Sequence, residues 1–206
     1  SGFDIVPYSK NKRLLESKNV IAAMSDYKVI ETCRDKWEFY NKLNGIFNLP
    51  FTTDNPSGID SFPCVSKPVF GKGSKNVFIC QNKEELEEMF SKYDSLILQE
   101  YLPGKEYTID VLSDLDGKPL VAVPRERIEV RSGISIKGKI VLDKAMQEEC
   151  LKVAEFLNIK GPSCMQMKRD NEGVPRIVEV NPRLGGGTIM TAYAGVNFPD
   201  LLIKMV

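Results

Sequence analysis

Apolar side chains recur along the chain with two spacings, which predict helices in some segments and strands in others. Trp37, Tyr40 and Leu43 share one face at the helical spacing. Asn82 is predicted to cap the start of another helix, because Glu85 three residues later completes a capping box. The predicted helices are residues 35–44, 82–90 and 147–157.

Short apolar segments bounded by glycine, proline and polar residues predict the strands. Residues 107–113 and 119–124 form a predicted hairpin around Asp116-Gly117, and the last two predicted strands form another. The predicted strands are residues 63–70, 77–80, 95–101, 107–113, 119–124, 163–169 and 174–181. Strand pairs interleaved with helices predict an α+β protein with two lobes.

These elements divide the chain into four predicted segments. Residues 1–30 mix short apolar and polar pieces, and we expect them to be the remnant of a preceding domain or a linker. Residues 31–62 hold a helix and a connection, residues 63–101 form a small lobe, and residues 102–206 form a large lobe. The apolar residues 198–206 stop within a predicted helix, whereas a native terminus is usually polar, so a fragment of a longer protein is predicted.

The composition excludes several classes of protein. Lys and Arg (28) balance Asp and Glu (28), so the sequence predicts no basic surface for nucleic acid. No run of about twenty apolar residues is present, so no membrane span is predicted. The absence of His excludes His-based acid–base catalysis and nearly all zinc sites. The five cysteines are far apart and form no CxxC pair, which indicates free thiols of a reducing, cytoplasmic location.

The last predicted hairpin carries the most informative pattern. Side chains on a strand alternate between its two faces. Met165 and Met167 on one strand, with Val178 and Val180 on the other, are predicted to face the core. The residues between them then lie on the opposite face of the sheet.

Gln166, Glu179 and Asn181 share that opposite face. A two-residue turn at Glu172-Gly173 pairs residues whose numbers sum to 345, which places Gln166 opposite Glu179. Three oxygen-bearing side chains therefore converge within reach of one hard cation such as Mg²⁺. A solvated strand face with a chance set of polar residues is the alternative. The glycines at 185–187 favour the first interpretation, because they suggest that backbone approaches a ligand.

Two further segments suggest a nucleotide site. Lys67 precedes a glycine-rich loop, residues 71–76, whose backbone N–H groups could cradle phosphates. The loop fits neither the P-loop nor the Rossmann pattern, and a plain hairpin tip is the alternative. Residues 96–106 join the two lobes, where exposed backbone groups could bind a purine. An ordinary loop is the alternative there.

In this order, the three motifs resemble those of the ATP-grasp superfamily, and most closely the ATP-grasp domains of carbamoyl phosphate synthetase large subunits. The resemblance covers about residues 31–200, and its most specific parts are Lys67 with the glycine loop, residues 99–106 and residues 179–183. It implies a two-lobed fold of antiparallel sheets with packed helices and a nucleotide between the lobes. The small lobe would be the lid and the large lobe the core.

The resemblance implies roles for individual residues of the nucleotide site. Two lysines would hold the phosphates, the glycine loop would cover them, and the segment between the lobes would bind adenine and ribose. These residues are Lys36 and Lys67 for the phosphates, Gly71, Gly73 and Ser74 for the lid, Glu100, Tyr101 and Leu102 for adenine, and Glu106 for ribose.

The resemblance also implies a metal site and two catalytic residues. Gln166, Glu179 and Asn181 would coordinate Mg²⁺, or alternatively Mn²⁺, between the phosphates. Glutamine at the first of these positions is typical of carbamoyl phosphate synthetase-like members, where many other ATP-grasp enzymes have an acid. Arg183 would stabilise the acyl phosphate and the γ-phosphate during transfer, with Lys67 as the second catalytic residue.

The implied activity is that of an ATP- and Mg-dependent ligase, which activates a carboxylate or bicarbonate as an acyl phosphate for attack by an amine. An ATP-binding module without ligase activity, either regulatory or inactive as an isolated fragment, is one alternative, and a structural interaction domain whose matching residues are coincidental is another. The implied partners are ATP, a small carboxylate and a missing N-terminal domain of the same protein, and a homodimer is left open. Arg125 and Arg127 are assigned to the acceptor site, in a segment whose other basic residues, Arg131 and Lys137, have no assigned role.

Overall fold

The computed structural model describes residues 5–71, 73–131 and 133–206. Lys72 of the predicted lid and residues 1–4 of the predicted first segment lie outside the described residues. The first elements are the helices α1 (Ile5–Lys10), α2 (Lys12–Glu16), α3 (Tyr27–Arg34) and α4 (Lys36–Leu43). α4 begins where predicted, because the Asp35 carboxylate accepts hydrogen bonds from the backbone N–H groups of Trp37 (3.0 Å) and Glu38 (2.8 Å).

The next elements build a small antiparallel sheet with the strand order β1-β4-β2-β3. They are β1 (Thr52–Thr53), a 3₁₀ turn (Pro56–Gly58), β2 (Cys64–Pro68), β3 (Phe78–Cys80), α5 (Lys83–Lys92) and β4 (Leu96–Glu100). The segment predicted as a plain connection therefore contains a strand, which pairs Thr52 with Gln99. Two residues are too few to show a period in the sequence. β1 is therefore recognised only by its pairing with β4 and not by its own pattern of side chains.

The rest of the chain builds a larger antiparallel sheet with the order β7-β6-β5-β8-β9. Its elements are β5 (Glu106–Ser113), β6 (Pro119–Arg131), β7 (Ile134–Ile140), α6 (Lys144–Phe156), β8 (Pro162–Arg169), β9 (Pro175–Asn181), α7 (Thr188–Tyr193) and α8 (Phe198–Lys204). β6 is longer than predicted, and β7 and α7 were not predicted. The second half of β6 is largely exposed, so its sequence lacks the apolar alternation that identifies a strand.

A β-bulge in β9 changes which side chains face the core. Gln166 pairs with Glu179 as predicted, but Met167 pairs with Ile177, so the register shifts by one residue between these two pairs. Ile177 and Val180 are buried, whereas Val178 lines a cavity on the other face. The prediction that Val178 belongs to the core is therefore wrong.

The main core lies between the large sheet and α6. Met146, Cys150, Val153 and Ala154 of α6 are fully buried, together with Ile109, Met165 and Met167 of the sheet. Burying apolar area of this kind is the main favourable term in folding. Among the described residues, no helix is long and apolar enough to cross a membrane.

Candidate active site

A cavity of about 190 Å³ lies between the two sheets. β2, β4 and the loop after β2 form one wall, and β8 and β9 form the other. Most of the residues predicted for the nucleotide and metal sites line it together. They are Lys36, Lys67, Gly71, Gly73, Ser74, Glu100, Leu102, Glu106, Gln166 and Glu179. Residues from all the sequence motifs therefore meet in this cavity, which is the smaller of two neighbouring cavities.

The other predicted residues lie next to the smaller cavity. Asn181 and Arg183 line a larger cavity of about 480 Å³, and Glu179 lines both cavities. Tyr101 follows β4, and its ring centroid lies 4.9 Å from Nζ of Lys168, which lines the smaller cavity. The two cavities thus adjoin at Glu179.

Lys67 is a buried cation at the centre of the smaller cavity wall. It lies on β2, where the following Pro68 favours an extended backbone, and its Nζ donates a hydrogen bond to Oε1 of Gln99 (2.9 Å). The pKa of Lys67 is lowered to about 8, mainly by burial; Glu179 opposes this shift and nearby Lys36 contributes to it. A buried ammonium with this pKa gains strongly from an anionic ligand.

Gln99 is a site residue that the sequence analysis did not single out. It is buried on β4, accepts the hydrogen bond from Lys67 and donates through Nε2 to Oγ1 of Thr52 (3.0 Å). The signal in the sequence is a glutamine that follows three apolar residues of a buried strand, because a buried amide requires polar partners. Gln99 holds the Lys67 side chain in place.

Lys36 connects the start of α4 with the loop after β2. Its Nζ donates to the backbone oxygens of Val69 (3.4 Å) and Gly71 (3.3 Å). Burial lowers the pKa of Lys36, whereas the carboxylates of Glu179 and Asp35 raise it. Lysines outnumber glutamates among the described residues that line the cavity, which favours phosphates. The lysines are Lys36, Lys67, Lys75 and Lys168, and the glutamates are Glu100, Glu106 and Glu179.

The polar face of the last hairpin forms a hydrogen-bonded chain. Gln166 pairs directly with Glu179 across β8 and β9. Asn181 donates through Nδ2 to Oε1 of Glu179 (2.6 Å), and Arg183 donates to Oδ1 of Asn181 (3.2 Å). These contacts orient Glu179 and Asn181 from the side of the larger cavity.

These side chains are suited to Mg²⁺ rather than to a softer metal. Among the described residues, no group of three or more His, Cys, Asp or Glu side chains could hold a metal on its own. Gln166, Glu179 and Asn181 offer oxygen atoms with a single negative charge. Mg²⁺ is commonly held by one or two carboxylates together with substrate phosphates, so the residues fit a metal that arrives with a nucleotide.

The glycine loop, predicted to be the lid, contacts the turn between β6 and β7 of the large sheet. A Cβ atom on Gly133, in the turn after β6, would lie 2.8 Å from Cα of Gly73 in the loop, so only glycine permits this approach. Arg127 on β6 donates to the Gly133 oxygen (2.8 Å) and forms an ion pair with Glu106. Arg127 thus connects the Glu106 carboxylate, which is predicted to bind ribose, with the turn that contacts the glycine loop. Its assignment to the acceptor site stays a prediction.

Arg125, the other residue predicted for the acceptor site, is buried and hydrogen-bonded within the protein. Its guanidinium is only 2% exposed and donates to Oδ2 of Asp110 (3.0 Å) and to the backbone oxygen of Gly187 (2.9 Å). Thr191 donates to the same Asp110 oxygen (2.6 Å). This buried network anchors the segment that follows Arg183. Arg131 and Lys137 are exposed on β6 and β7.

Two of the three glycines after Arg183 pack closely against buried groups. A Cβ atom on Gly187 would lie 2.4 Å from the Arg125 guanidinium, and one on Gly185 would lie 2.9 Å from Sγ of Cys164. Side chains at these two positions would therefore displace the buried groups beneath the loop. A Cβ atom on Gly186 would meet open space, and the approach of this backbone to a ligand stays a prediction.

The cysteine thiols near the cavities are not activated. Burial raises the pKa of Cys164 to about 12 and that of Cys33 to about 12. A thiol with such a pKa stays protonated at neutral pH and is a poor nucleophile. The site therefore provides cations and oxygen ligands rather than a covalent nucleophile.

Replacing Thr191 by valine is expected to lower the free energy of unfolding by about 1.5–3 kcal/mol, because it removes a buried hydrogen bond to a charged group. Thr191→Ser keeps the hydroxyl and is expected to lose less, about 1 kcal/mol for the methyl group. Urea denaturation of the two variants and the wild type measures both effects. Equal stability of Thr191→Val and the wild type would contradict a role for this bond in anchoring the loop.

The sequence matches known proteins over different parts of its length. Residues 92–206 match the family described as ATP-grasp in the biosynthetic pathway with Ter operon. The chain is 34% identical over 102 residues to D-alanine–D-alanine ligase of Thermotoga maritima, which covers 44% of this chain and 33% of that protein. It is 24% identical over 190 residues to the arginine-specific large chain of carbamoyl phosphate synthase of Bacillus subtilis, covering 82% of this chain and 18% of that one. The chain thus spans about a third of the length of the D-alanine–D-alanine ligase it matches.

The structure is also similar to solved structures. It superposes on biotin carboxylase from Campylobacter jejuni, described as a complex with beta-gamma-ATP, with a TM-score of 0.82 and 14% sequence identity. The match covers 98% of this chain and 52% of that chain. At this identity the likeness shows the fold, and the prediction of an α+β protein with antiparallel sheets and packed helices is confirmed.

Proposed function

Because the chain belongs to the ATP-grasp family of the biosynthetic pathway with Ter operon, we propose that it is the nucleotide-binding part of an ATP- and Mg²⁺-dependent ligase that joins a carboxylate to an amine. The observation that carries the proposal is the smaller cavity, where Lys36 and Lys67 face Gln166 and Glu179. The likeness to the carbamoyl phosphate synthase large chain supports a nucleotide site of that type. We also propose residues 63–101 as the lid lobe and residues 102–206 as the core lobe.

The proposed nucleotide lies along the smaller cavity. Adenine would meet the backbone of Glu100 and Leu102 after β4, and the ribose hydroxyls would bind the Glu106 carboxylate. The phosphates would then reach Lys67 and Lys36, and the triphosphate would extend toward Glu179. Tyr101 would contribute from outside this cavity, by holding the ammonium of Lys168 against its ring.

The proposed metal ligands are Gln166, Glu179 and Asn181. A bound Mg²⁺ would neutralise phosphate charge and polarise the γ-phosphate. Asn181 donates to Glu179 and accepts from Arg183, so these two ligands are oriented before the nucleotide arrives. Such prior orientation reduces the reorganisation needed at the moment of reaction.

The proposed reaction has two steps. An oxygen of the carboxylate attacks the γ-phosphorus of ATP, the bond to the β-phosphate oxygen breaks, and ADP leaves with that electron pair. An amine then attacks the carbonyl carbon of the acyl phosphate, inorganic phosphate leaves with the electrons of the C–O bond, and the amine loses a proton to solvent. Positioning and charge neutralisation are the main requirements of the first step, and Lys67, Lys36 and Arg183 would meet them.

Nucleotide affinity is expected to fall as the pH rises through about 8. The pKa of Lys67 is about 8 in the free protein, and adjacent phosphate oxygens would raise it in the complex. The charged lysine then contributes its full attraction below pH 8, and above that pH binding must take up a proton. Calorimetric titration of Mg·ATP between pH 7 and pH 9.5, in buffers with different heats of ionisation, measures this uptake.

The control for the pH experiment is Lys67→Arg, because the guanidinium stays charged throughout this range. Its affinity is expected to change little with pH. Proton uptake that is as large in Lys67→Arg as in the wild type would contradict the assignment to Lys67.

The ligase proposal is tested by trapping the activated carboxylate. Hydroxylamine replaces the amine and converts an acyl phosphate to a hydroxamate, which is detected by its iron complex. We expect hydroxamate and ADP to form together, in equal amounts, when the 206-residue protein is supplied with Mg·ATP and a panel of carboxylates. Tight nucleotide binding without hydroxamate from any carboxylate would instead favour an ATP-binding module without ligase activity.

A further inference from the structure

We propose that the larger cavity binds the carboxylate to be activated and that this substrate carries an apolar group of several carbon atoms. This inference rests on the proposed ligase function and specifies its substrate. The larger cavity adjoins the smaller one, since Lys36, Gly71 and Glu179 line both. A carboxylate in the larger cavity would therefore lie next to the expected position of the γ-phosphate.

The charges along the larger cavity favour a carboxylate. Arg34, Lys36 and Arg183 line it, whereas Glu179 is the one carboxylate that lines it among the described residues. Arg183 is already oriented by its hydrogen bonds to Asn181 and to the backbone oxygen of Leu184 (3.1 Å). A guanidinium and an ammonium at the border with the phosphate site can hold an anion against the repulsion of a triphosphate.

The remaining walls are apolar and come from different parts of the chain. Ile5, Val6 and Pro7 of α1 form one side, and Phe70, at the start of the lid loop, belongs to another. The Phe70 side chain is 55% exposed, although aromatic side chains bury much apolar area when they have a partner. Apolar walls opposite a cationic border would fit a molecule with a charged end and an apolar end.

The size of the larger cavity argues against bicarbonate. Its volume of about 480 Å³ lies within the range of about 300–1,000 Å³ typical of sites for organic ligands. A water molecule takes up about 30 Å³ in the liquid, and bicarbonate is only a few times larger. Bicarbonate would leave most of the cavity unfilled and the apolar walls without contact. An organic carboxylate with an aliphatic or aromatic group would fill more of the cavity and would contact its apolar walls.

The inference is tested with matched probes in the presence of Mg²⁺ and a non-hydrolysable ATP analogue. One pair is 4-methylpentanoate and acetate, and the other is L-leucine and glycine, so each pair differs by an apolar group. Affinity for the 206-residue protein is measured by ligand-observed NMR. In at least one pair, we expect the apolar member to bind at least about tenfold more tightly, as expected for several methylene groups in an apolar site.

Variants of the cavity wall identify where the probe binds. Val6→Asp places a charge on the wall and is expected to abolish the preference for the apolar probe. Leu14→Asp is the matched control, because Leu14 is exposed on α2 and does not line the larger cavity. Phe70→Ala, at an exposed position that cannot disrupt the core, is expected to reduce the preference in the same direction.

The outcomes separate this inference from the ligase proposal. Equal affinity within both pairs, or a preference that survives Val6→Asp and Phe70→Ala, would overturn the inference. Hydroxamate formed from acetate as efficiently as from 4-methylpentanoate or L-leucine, or ADP released as fast with bicarbonate as with these two, would overturn it while leaving the ligase function intact. Selective binding of an apolar probe without any hydroxamate would support the cavity assignment and count against the ligase function.

Discussion

Glu179→Gln is expected to lower ATP turnover by about 10³-fold while the protein stays folded. Glu179 lines both cavities, lies opposite Gln166 and supplies the one negative charge of the proposed metal ligands. Losing one preorganised electrostatic contact typically costs about 10²–10³-fold in rate. The carboxylate also raises the pKa of Lys67, so its removal would lower that pKa below about 8 and leave less of the lysine charged.

Steady-state release of ADP in the presence of a productive carboxylate measures the effect of Glu179→Gln. Glu172→Gln is the matched control, because it makes the same substitution at an exposed position in the turn between β8 and β9. The control is expected to keep wild-type turnover. Glu179→Gln with turnover within about threefold of the control would be incompatible with a metal-binding role for this residue, which is expected to cost far more.

Lys67→Met is expected to lower kcat/KM for ATP by about 10²–10³-fold, the second-largest effect. Methionine approximates the volume of the lysine stem but cannot donate to a phosphate or to Gln99. If Lys67 binds the γ-phosphate more tightly in the transition state than in bound ATP, we expect mainly a lower kcat. If it binds both states equally well, we expect mainly a higher KM. Separate determination of kcat and KM distinguishes these two possibilities.

Lys75→Met is the control for Lys67→Met, since Lys75 lines the same cavity but lies on the exposed lid loop. Its effect is expected to be no more than about tenfold, because an exposed charge is screened by water and salt. Thermal unfolding is measured in parallel. A Lys67→Met protein that is folded and retains wild-type kcat/KM would remove the central cation from the proposed site.

The sequence predicted the part of the site that depends on local rules. Alternation of side chains along a strand and the position of a turn were sufficient to pair Gln166 with Glu179, and the structure confirms that pair. The cap at Asn82 was likewise predicted from residues close in sequence, and the structure shows its side chain accepting a hydrogen bond from the backbone N–H of Glu85 (2.9 Å). Lys67 was placed on a strand by its apolar neighbours and by Pro68.

The bulge at Val178 could not be predicted from the same rules. The backbone N–H of Ile177 donates to the oxygen of Asn48 (2.8 Å), a residue more than a hundred positions earlier in the chain. This bond lies outside the hairpin, so no pattern within the hairpin could reveal it. The resulting shift takes Val178 from the core to the wall of the smaller cavity.

The partners of the basic residues of β6 could not be predicted for a similar reason. A sequence shows that Arg125 and Arg127 are charged but not which carboxylates they meet. Arg125 is paired with Asp110 and Arg127 is paired with Glu106, and both carboxylates lie on the neighbouring strand β5. Each pair forms only after β5 and β6 align, and it satisfies a charge that would otherwise be costly to bury.

The most direct test of the nucleotide site is calorimetric titration of Mg·ATP into the 206-residue protein at pH 7. We expect saturable binding at one site, which requires Mg²⁺ and is weakened in both Lys67→Met and Glu179→Gln. Absence of binding by the folded wild-type protein, or binding of equal strength by the wild type and both variants, would contradict a nucleotide site in the cavity between the two sheets.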